Sequence, residues 1–196
     1  MQTNFQFRKL HGWAGLLLVI LTIVFAYASK AGWLDDASQA AQTTQPGLYT
    51  VSRFVDGDTI AVNMNGKTEK IRFVGVDTPE THKPNTPVQC YGPAAAAYTK
   101  NIIGTKQLRL VSDSKSTDRD RYDRLLRYVY IAGDDVSVNE KLIQNGYGFY
   151  YPYFPFTKSD QFAQDQASAQ ASHKGLWGNC TTIKTDRGGY TSSNQT

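Results

Sequence analysis

Two short strings about twenty residues apart, Asp56-Gly57-Asp58-Thr59 and Val76-Asp77-Thr78-Pro79-Glu80, gather carboxylates around a basic strand residue, Arg72. Carboxylate oxygens in this arrangement can collect a hard divalent cation and leave one acid free to act on water. A guanidinium beside them can clamp a phosphate oxygen. The chemistry indicated is hydrolysis of a phosphodiester, with Arg124 downstream as a second clamp. Each part has a plainer explanation. An isolated Asp-Gly-Asp commonly serves a turn, Glu80 after Thr78-Pro79 suits a helix start, and either arginine suits a solvated strand. It is their coincidence in one chain that favours chemistry.

For these side chains to meet, the elements that carry them must be placed correctly. Residues 49–55 are strand-like, Asp56-Gly57 supplies a hairpin turn, and Ile60, Val62 and Met64 alternate along a second strand. Asn65-Gly66 marks another turn, after which residues 68–77 read as a third strand. Alternation puts Arg72 and Asp77 on opposite faces of that strand, so a bulge or bend is expected at Gly75 to re-aim the residues after it. A first helix has Pro93 in its opening turn and Gly104 as its stop. Residues 108–112 and 125–131 are further strands. Ser137-Val138-Asn139-Glu140 is a capping box that opens a second helix ending at Gly146. A third helix spans residues 159–173, with Phe162, Ala163, Ala167 and Ala171 expected inward.

No regular β-α alternation and no internal repeat is present. A three-strand meander, a helix, two more strands and trailing helices predict a mainly β, α+β fold. The expected architecture is a five-stranded Greek-key barrel of the oligonucleotide-binding (OB) type with three helices.

At 196 residues, with a formal net charge of +4, the chain has room for one good-sized core. Its basic side chains are densest over residues 100–127, which suits a polyanionic partner but also suits ordinary solvation. Arg8, Lys9 and His11 precede an apolar run over residues 12–28 that closes with Ala26-Tyr27-Ala28. This reads as an export signal over residues 1–28 cleaved after Ala28. A retained signal-anchor helix that tethers the protein to the membrane is the competing reading. Either one places the rest outside the cytoplasm, secreted, periplasmic or held at the cell envelope. Residues 29–46 form a flexible linker, residues 47–180 the folded domain, and residues 181–196 a disordered tail. In an oxidising compartment Cys90 and Cys180 are read as one disulfide that ties the two ends of the domain, against the alternative of two unrelated thiols. No zinc site is indicated.

Across residues 47–177 the sequence resembles the thermonuclease, or staphylococcal-nuclease-like, family. The strings that carry this are Asp56-Gly57-Asp58-Thr59, Ile71-Arg72-Phe73, Val76-Asp77-Thr78-Pro79-Glu80 and Tyr91-Gly92-Pro93-Ala94. Arg121-Tyr122-Asp123-Arg124 with Tyr128, Val138-Asn139-Glu140 with Gly146, and Gly175-Leu176-Trp177 complete the set. The resemblance implies a calcium ion (Ca2+) held by the carboxylates of Asp58 and Asp77 and the backbone carbonyl of Thr78. It implies Glu80 as the residue that activates or orients water, and Arg72 and Arg124 on the phosphoryl oxygens. The implied activity is endonucleolytic cleavage of DNA and RNA to 3'-phosphate ends by a monomer, with Arg121, Tyr122, Tyr151 and Tyr153 as substrate-binding residues. Two departures stand out. Asp123 occupies a position where the family usually has glycine, which puts the aim of Arg124 in question. The loop over residues 81–89, with Pro84, Asn85 and Pro87, has its own sequence.

The aromatic run over residues 147–156 contains rings that could stack on bases, a contact worth about 1–3 kcal/mol per base. Matching from Gly146 without a gap would select Pro152 and Phe154 instead of Tyr151 and Tyr153. His11, His82 and His173 are scattered and are read as surface residues. The competing function is a non-catalytic OB-fold module of the cell envelope that binds nucleic acid or protein.

Overall fold

In the computed structural model the described residues are 47–81 and 87–194, together with Val19, Ile20 and Thr22. The chain divides into two units, Met1–Pro46 and Gly47–Thr196. The expected signal or anchor and the linker lie almost wholly outside the described residues. No helix among those residues is long and apolar enough to cross a membrane. The second unit holds Asp58, Arg72, Asp77, Glu80 and Arg124.

Strands β1 (Val51–Asp56), β2 (Thr59–Met64) and β3 (Lys67–Phe73) form the expected meander. The turns between them fall at Gly57-Asp58 and at Asn65-Gly66, where both Asn65 and Gly66 take positive φ. Helix α1 (Gly92–Ile103) follows, then β5 (Leu108–Val111) and β6 (Leu125–Ile131). The sheet order is β1-β2-β3-β6-β5. Its pairs are antiparallel except β3 with β6, which run parallel with Arg72 opposite Leu126. Tyr49 and Leu108 exchange backbone hydrogen bonds of 2.9 and 2.7 Å, so the two ends of the strand order meet. The result is a mixed α+β fold of one five-stranded sheet with three main helices. Its core is built on Ile60, Val62, Ile71, Phe73, Leu110 and Val129.

The predicted third strand breaks where glycine stands. β3 ends at Phe73, Gly75 turns with φ +75°, and β4 (Val76–Asp77) leaves the main sheet to pair with β7 (Phe149–Tyr150). A Cβ on Gly75 would lie 2.6 Å from the Phe156 ring, so close packing as well as backbone conformation demands glycine. The separation of β3 from β4 exposes main-chain groups that buried Asn139 satisfies. Its amide donates to the Val74 and Arg127 carbonyls at 2.9 and 3.1 Å, and its oxygen accepts from the Val129 N–H at 2.9 Å.

Asn139 is held by α2 (Val138–Gln144), which opens on the capping box formed by Ser137 and Glu140. Helix α3 (Ser159–Ala171) turns a face inward that differs from the expected one, burying Phe162, Gln166 and Ala169 while Ala167 and Ala171 face solvent. A glutamine takes the core position because its side-chain oxygen accepts the Tyr150 N–H at 2.9 Å.

The expected disordered tail is corrected by the structure. After the short α4 (Leu176–Asn179), β8 (Thr182–Lys184) and β9 (Tyr190–Ser192) form an antiparallel hairpin. Polar composition concealed its anchors. Tyr190 lies nearly parallel to Phe149 and edge-on to Trp177, with ring centroids 6.4 and 5.2 Å apart. The Cys90 N–H donates to the Ser193 carbonyl at 2.8 Å, and Ser192 Oγ donates to the Cys90 carbonyl at 2.9 Å. The Cys90–Cys180 disulfide, spanning 90 residues, fastens the start of α1 to the root of this hairpin.

A loop of that length contributes about 4 kcal/mol in the chain-entropy model. The paired substitution Cys90→Ser with Cys180→Ser is therefore expected to lower the unfolding free energy by up to that amount. An unchanged urea midpoint would show that the bridge adds nothing.

Candidate active site

Arg72 is the centre of the site because the bend brings its partners to it. Its Nη1 lies 2.9 Å from Asp58 Oδ2 and donates to the Val76 carbonyl at 2.7 Å, while its Nη2 lies 2.6 Å from Asp77 Oδ1. A guanidinium from β3 thus joins the β1–β2 turn to β4. Burial works against its charge, but the Asp58 and Asp77 carboxylates outweigh this and hold it above its already high ordinary value.

The acids themselves are fixed by local geometry. Asp58 Oδ2 accepts from both the Thr78 N–H (2.8 Å) and Thr78 Oγ1 (3.1 Å). That contact requires glycine at position 57, where a Cβ would fall 2.8 Å from Thr78 Oγ1. From α1, buried Thr99 donates to the Gly57 carbonyl at 2.5 Å and holds the turn from behind. Asp56 accepts from the Gly57 N–H and from Thr81 Oγ1. The backbone N–H of Glu80 donates to Gln89 Oε1 at 2.7 Å, and Gln89 Nε2 donates to Thr191 Oγ1 at 2.9 Å. Position 80 is therefore braced by the C-terminal hairpin.

Crowding shows in the titration of this group. Burial, then the charge of Asp58, pushes the Asp56 carboxyl up to about 6. Asp77 is likewise pushed up to about 6, by burial first and by Asp58, Glu80 and Asp56, against the pull of Arg72. With 43% of its side chain reaching solvent, Asp77 also feels the crowding of the neighbouring carboxylates directly.

Arg124 enters from the loop before β6. Its Nε and Nη2 both reach Asp120 Oδ2, at 2.7 and 2.6 Å, leaving Nη1 directed elsewhere. Burial opposes ionisation of Asp120, yet the hydrogen bonds from Arg124 and Tyr122 prevail and hold its carboxyl below the ordinary range. Tyr122, 64% exposed, lies beneath two of the arginines of this loop, with the Arg121 and Arg124 guanidinium carbons 4.8 and 5.4 Å from its ring centroid. Asp123 takes φ +62°, a left-handed conformation natural to glycine, and its exposed carboxylate faces Arg119 at 3.5 Å. Its acidity is thus turned away from Arg124, whose ion-pair partner is Asp120.

Two adjoining cavities result. The first, about 470 Å³, is lined by Asp56, Asp58, Asp77, Thr78 and Glu80 together with Lys70, Arg72, Arg124, Tyr122 and Tyr151. The second, about 480 Å³, shares Arg72, Tyr122, Arg124 and Tyr151 and adds Arg121 and Asp120. All the sequence-predicted acids and arginines therefore meet on one cleft. Tyr153 stands one step away, lining a smaller cavity of about 320 Å³ and placed edge-on to Tyr151 with centroids 4.6 Å apart. Phe154 lines the second cavity, so that position also faces the cleft.

The donor set suits a hard cation, since it offers carboxylate and carbonyl oxygens with no thiol or imidazole. Four carboxylates, those of Asp56, Asp58, Asp77 and Glu80, line the first cavity, more than Arg72 alone pairs with. Among the described residues no three acidic, histidine or cysteine side chains are grouped as a metal cage. Protein ligation here would rest on two carboxylates and main-chain oxygen.

Sequence reasoning missed Asp120, Gln89 and Lys70. The i,i+4 spacing of Asp120 and Arg124 was an available signal, whereas Gln89 and Lys70 carried none.

The conformation of Asp123 is directly testable. A β-branched residue at positive φ costs roughly 1–3 kcal/mol, so Asp123→Val should lower the melting temperature while Asp123→Gly should leave it equal or higher. Equal melting temperatures for the valine variant and the parent would contradict the assigned backbone.

Comparison with known proteins bears on what such a cleft serves. A family model described as staphylococcal nuclease homologue matches residues 70–179. A thermonuclease of Staphylococcus hyicus is 37% identical over 171 residues, covering 84% of this chain and 96% of its own length. A thermonuclease of Staphylococcus intermedius is 36% identical over 161 residues, with 82% and 91% covered. Endonuclease YncB of Bacillus subtilis (strain 168) is 44% identical over 130 residues, with 65% and 60% covered. The matched span begins beside Arg72 on β3 and runs through α4, and the chain belongs to the staphylococcal nuclease homologue family.

Proposed function

We propose that this cleft is the catalytic centre of a calcium-dependent endonuclease that hydrolyses DNA and RNA to 3'-phosphate products. That the chain is a nuclease of the hydrolase class follows from its family and from relatives that are thermonucleases and endonucleases. The observation that carries the finer reading is the convergence on Arg72 of Asp58 and Asp77, from two separated segments, beside Glu80 and Arg124 in one cleft.

Asp58, Asp77 and the Thr78 carbonyl are the residues that would hold calcium. When bound, the ion supplies positive charge to substrate oxygens and to water. Glu80 lies on the same wall and either takes a proton from the attacking water or orients it. Arg72 and Arg124 meet the phosphoryl oxygens, and their hold strengthens as charge builds towards the transition state. Arg124 is suited to this because Asp120 fixes two of its nitrogens and leaves Nη1 for phosphate. Arg121 and exposed Tyr122 bind the strand alongside, and Tyr151, shared by both main cavities, offers a ring to a base. Tyr153 packs edge-on against that ring.

The meeting of the sheet's two ends at Tyr49 and Leu108 supports a closed OB-type barrel, an architecture suited to nucleic acid on an exposed face. The apolar run over residues 12–28 supports export, with the domain secreted or held at the envelope by that segment. A binding module without chemistry would have no use for crowded carboxylates beside two phosphate-clamping arginines. A monomer suffices, since every group invoked comes from one chain.

Cleavage of plasmid and single-stranded DNA is expected with calcium and is expected to stop on chelation. Undiminished cleavage in chelator would overturn the metal assignment. Glu80→Gln and Arg72→Lys should each slow turnover by at least about 100-fold, with circular dichroism and thermal unfolding used to verify the fold. Rates near those of the parent would remove these residues from the mechanism.

A further inference from the structure

Strands β8 and β9 are joined by a tight turn over residues 185–188, in which the Gly188 N–H donates to the Thr185 carbonyl at 3.0 Å and Gly188 takes φ +88°. Arg187 lies on this turn with an exposed side chain. Its guanidinium carbon is 5.7 Å from the centroid of the Tyr153 ring. The Tyr153 hydroxyl is hydrogen-bonded to Thr185 Oγ1 at 2.5 Å, and a Cβ on Gly189 would clash with the hydroxyl oxygen. Glycine at 189 thus lets the tyrosine lie against the hairpin, and the tyrosine in turn supports the arginine.

So held, Arg187 reaches the cleft. It lines the 480 Å³ cavity with Arg72, Arg121 and Arg124, and the 320 Å³ cavity with Tyr151 and Tyr153. The charged wall of the larger of these cavities is four arginines against one carboxylate, Asp120, which is already bonded to Arg124. Arg72 is also in ion pairs. Among the described residues neither Arg121 nor Arg187 is in one. An arginine without a carboxylate partner, stacked on a tyrosine at the edge of a basic groove, matches the backbone of a polyanionic strand.

The hairpin is also anchored firmly enough to present that charge. The disulfide fixes its root, Tyr190 packs on Phe149 and Trp177, and Gln89 ties Thr191 to the amide of Glu80.

We propose that the C-terminal hairpin forms one wall of the substrate groove, with Arg187 binding a phosphate of the nucleic-acid strand beyond the phosphate that is cut. This rests on the nuclease reading and extends it. The acidic cavity holds the scissile phosphodiester, the arginine-lined cavity holds the strand next to it, and Arg187 contacts that strand further out. Substrates long enough to reach the hairpin are bound better than the shortest ones.

The test uses the full-length protein and substrates from a dinucleotide to a long single strand. Arg187→Gln is expected to raise KM several-fold on the long strand with little change in kcat, and the increase shrinks as the substrate shortens. Binding of a labelled strand to the Glu80→Gln protein, with and without Arg187→Gln, supplies an independent readout. Losing one phosphate contact lowers the slope of log affinity against log salt by about 0.7. Arg187→Lys restores that slope. If KM and the salt slope are both unaltered by Arg187→Gln, the hairpin is not part of the groove. If the parent protein fails to cleave, the catalytic reading falls, while the salt slope still decides whether Arg187 meets the strand.

Discussion

Two carboxylates that repel one another are held within reach of a single guanidinium, and the rest of the site depends on that arrangement. Arg72 sits between Asp58 and Asp77 and pairs with both, while Thr78 holds Asp58 from the other segment. Removing one partner of a buried ion pair typically costs about 3–5 kcal/mol, more than a solvent-exposed pair contributes. Arg72 is therefore a structural clasp between two segments, and the bend at Gly75 makes this possible. A straight strand would have put Asp77 on the opposite face.

The surroundings can be understood as supports for that clasp. Thr99 holds the turn that carries Asp58, Thr78 bonds the Asp58 carboxylate directly, and Asn139 satisfies the main chain where β3 and β6 part from β4. These groups sit on different elements. Their common property is that each satisfies a backbone or carboxylate group that would otherwise lie buried with one partner fewer. The polar interior of this domain is thus tied to the geometry of the cleft.

Much of this was legible in the sequence because local rules governed it. Gly75 between Arg72 and Asp77 announced a break, Ser137 with Glu140 announced a helix start, and two cysteines in a chain with an export-like leader announced a bridge. Asp123 was legible in a different way. Its departure from the family's glycine raised a question about Arg124, and the backbone answers it, since the positive φ explains the glycine and turns the acid towards Arg119. The C-terminal hairpin was not legible, because two strands of three residues in polar sequence carry no periodicity. What orders them is distant: a disulfide, Gln89 and the aromatic rings of Phe149 and Trp177. Gln166 in the core of α3 was hidden for the same reason, as its partner is the amide of Tyr150 on a different element.

The parallel pairing of β3 with β6 has one more implication, and it concerns timing. Ile71, Arg72 and Phe73 lie beside Leu125, Leu126 and Arg127, so about fifty residues must be made before the second strand can dock. A chain interrupted before Leu125 has the acids and Arg72 but no neighbouring strand to place Arg124. The brace on position 80 through Thr191 forms later still. Until nearly the whole domain has been made the cleft is consequently incomplete, its acids assembled ahead of the strand that positions the second arginine and of the hairpin that steadies position 80.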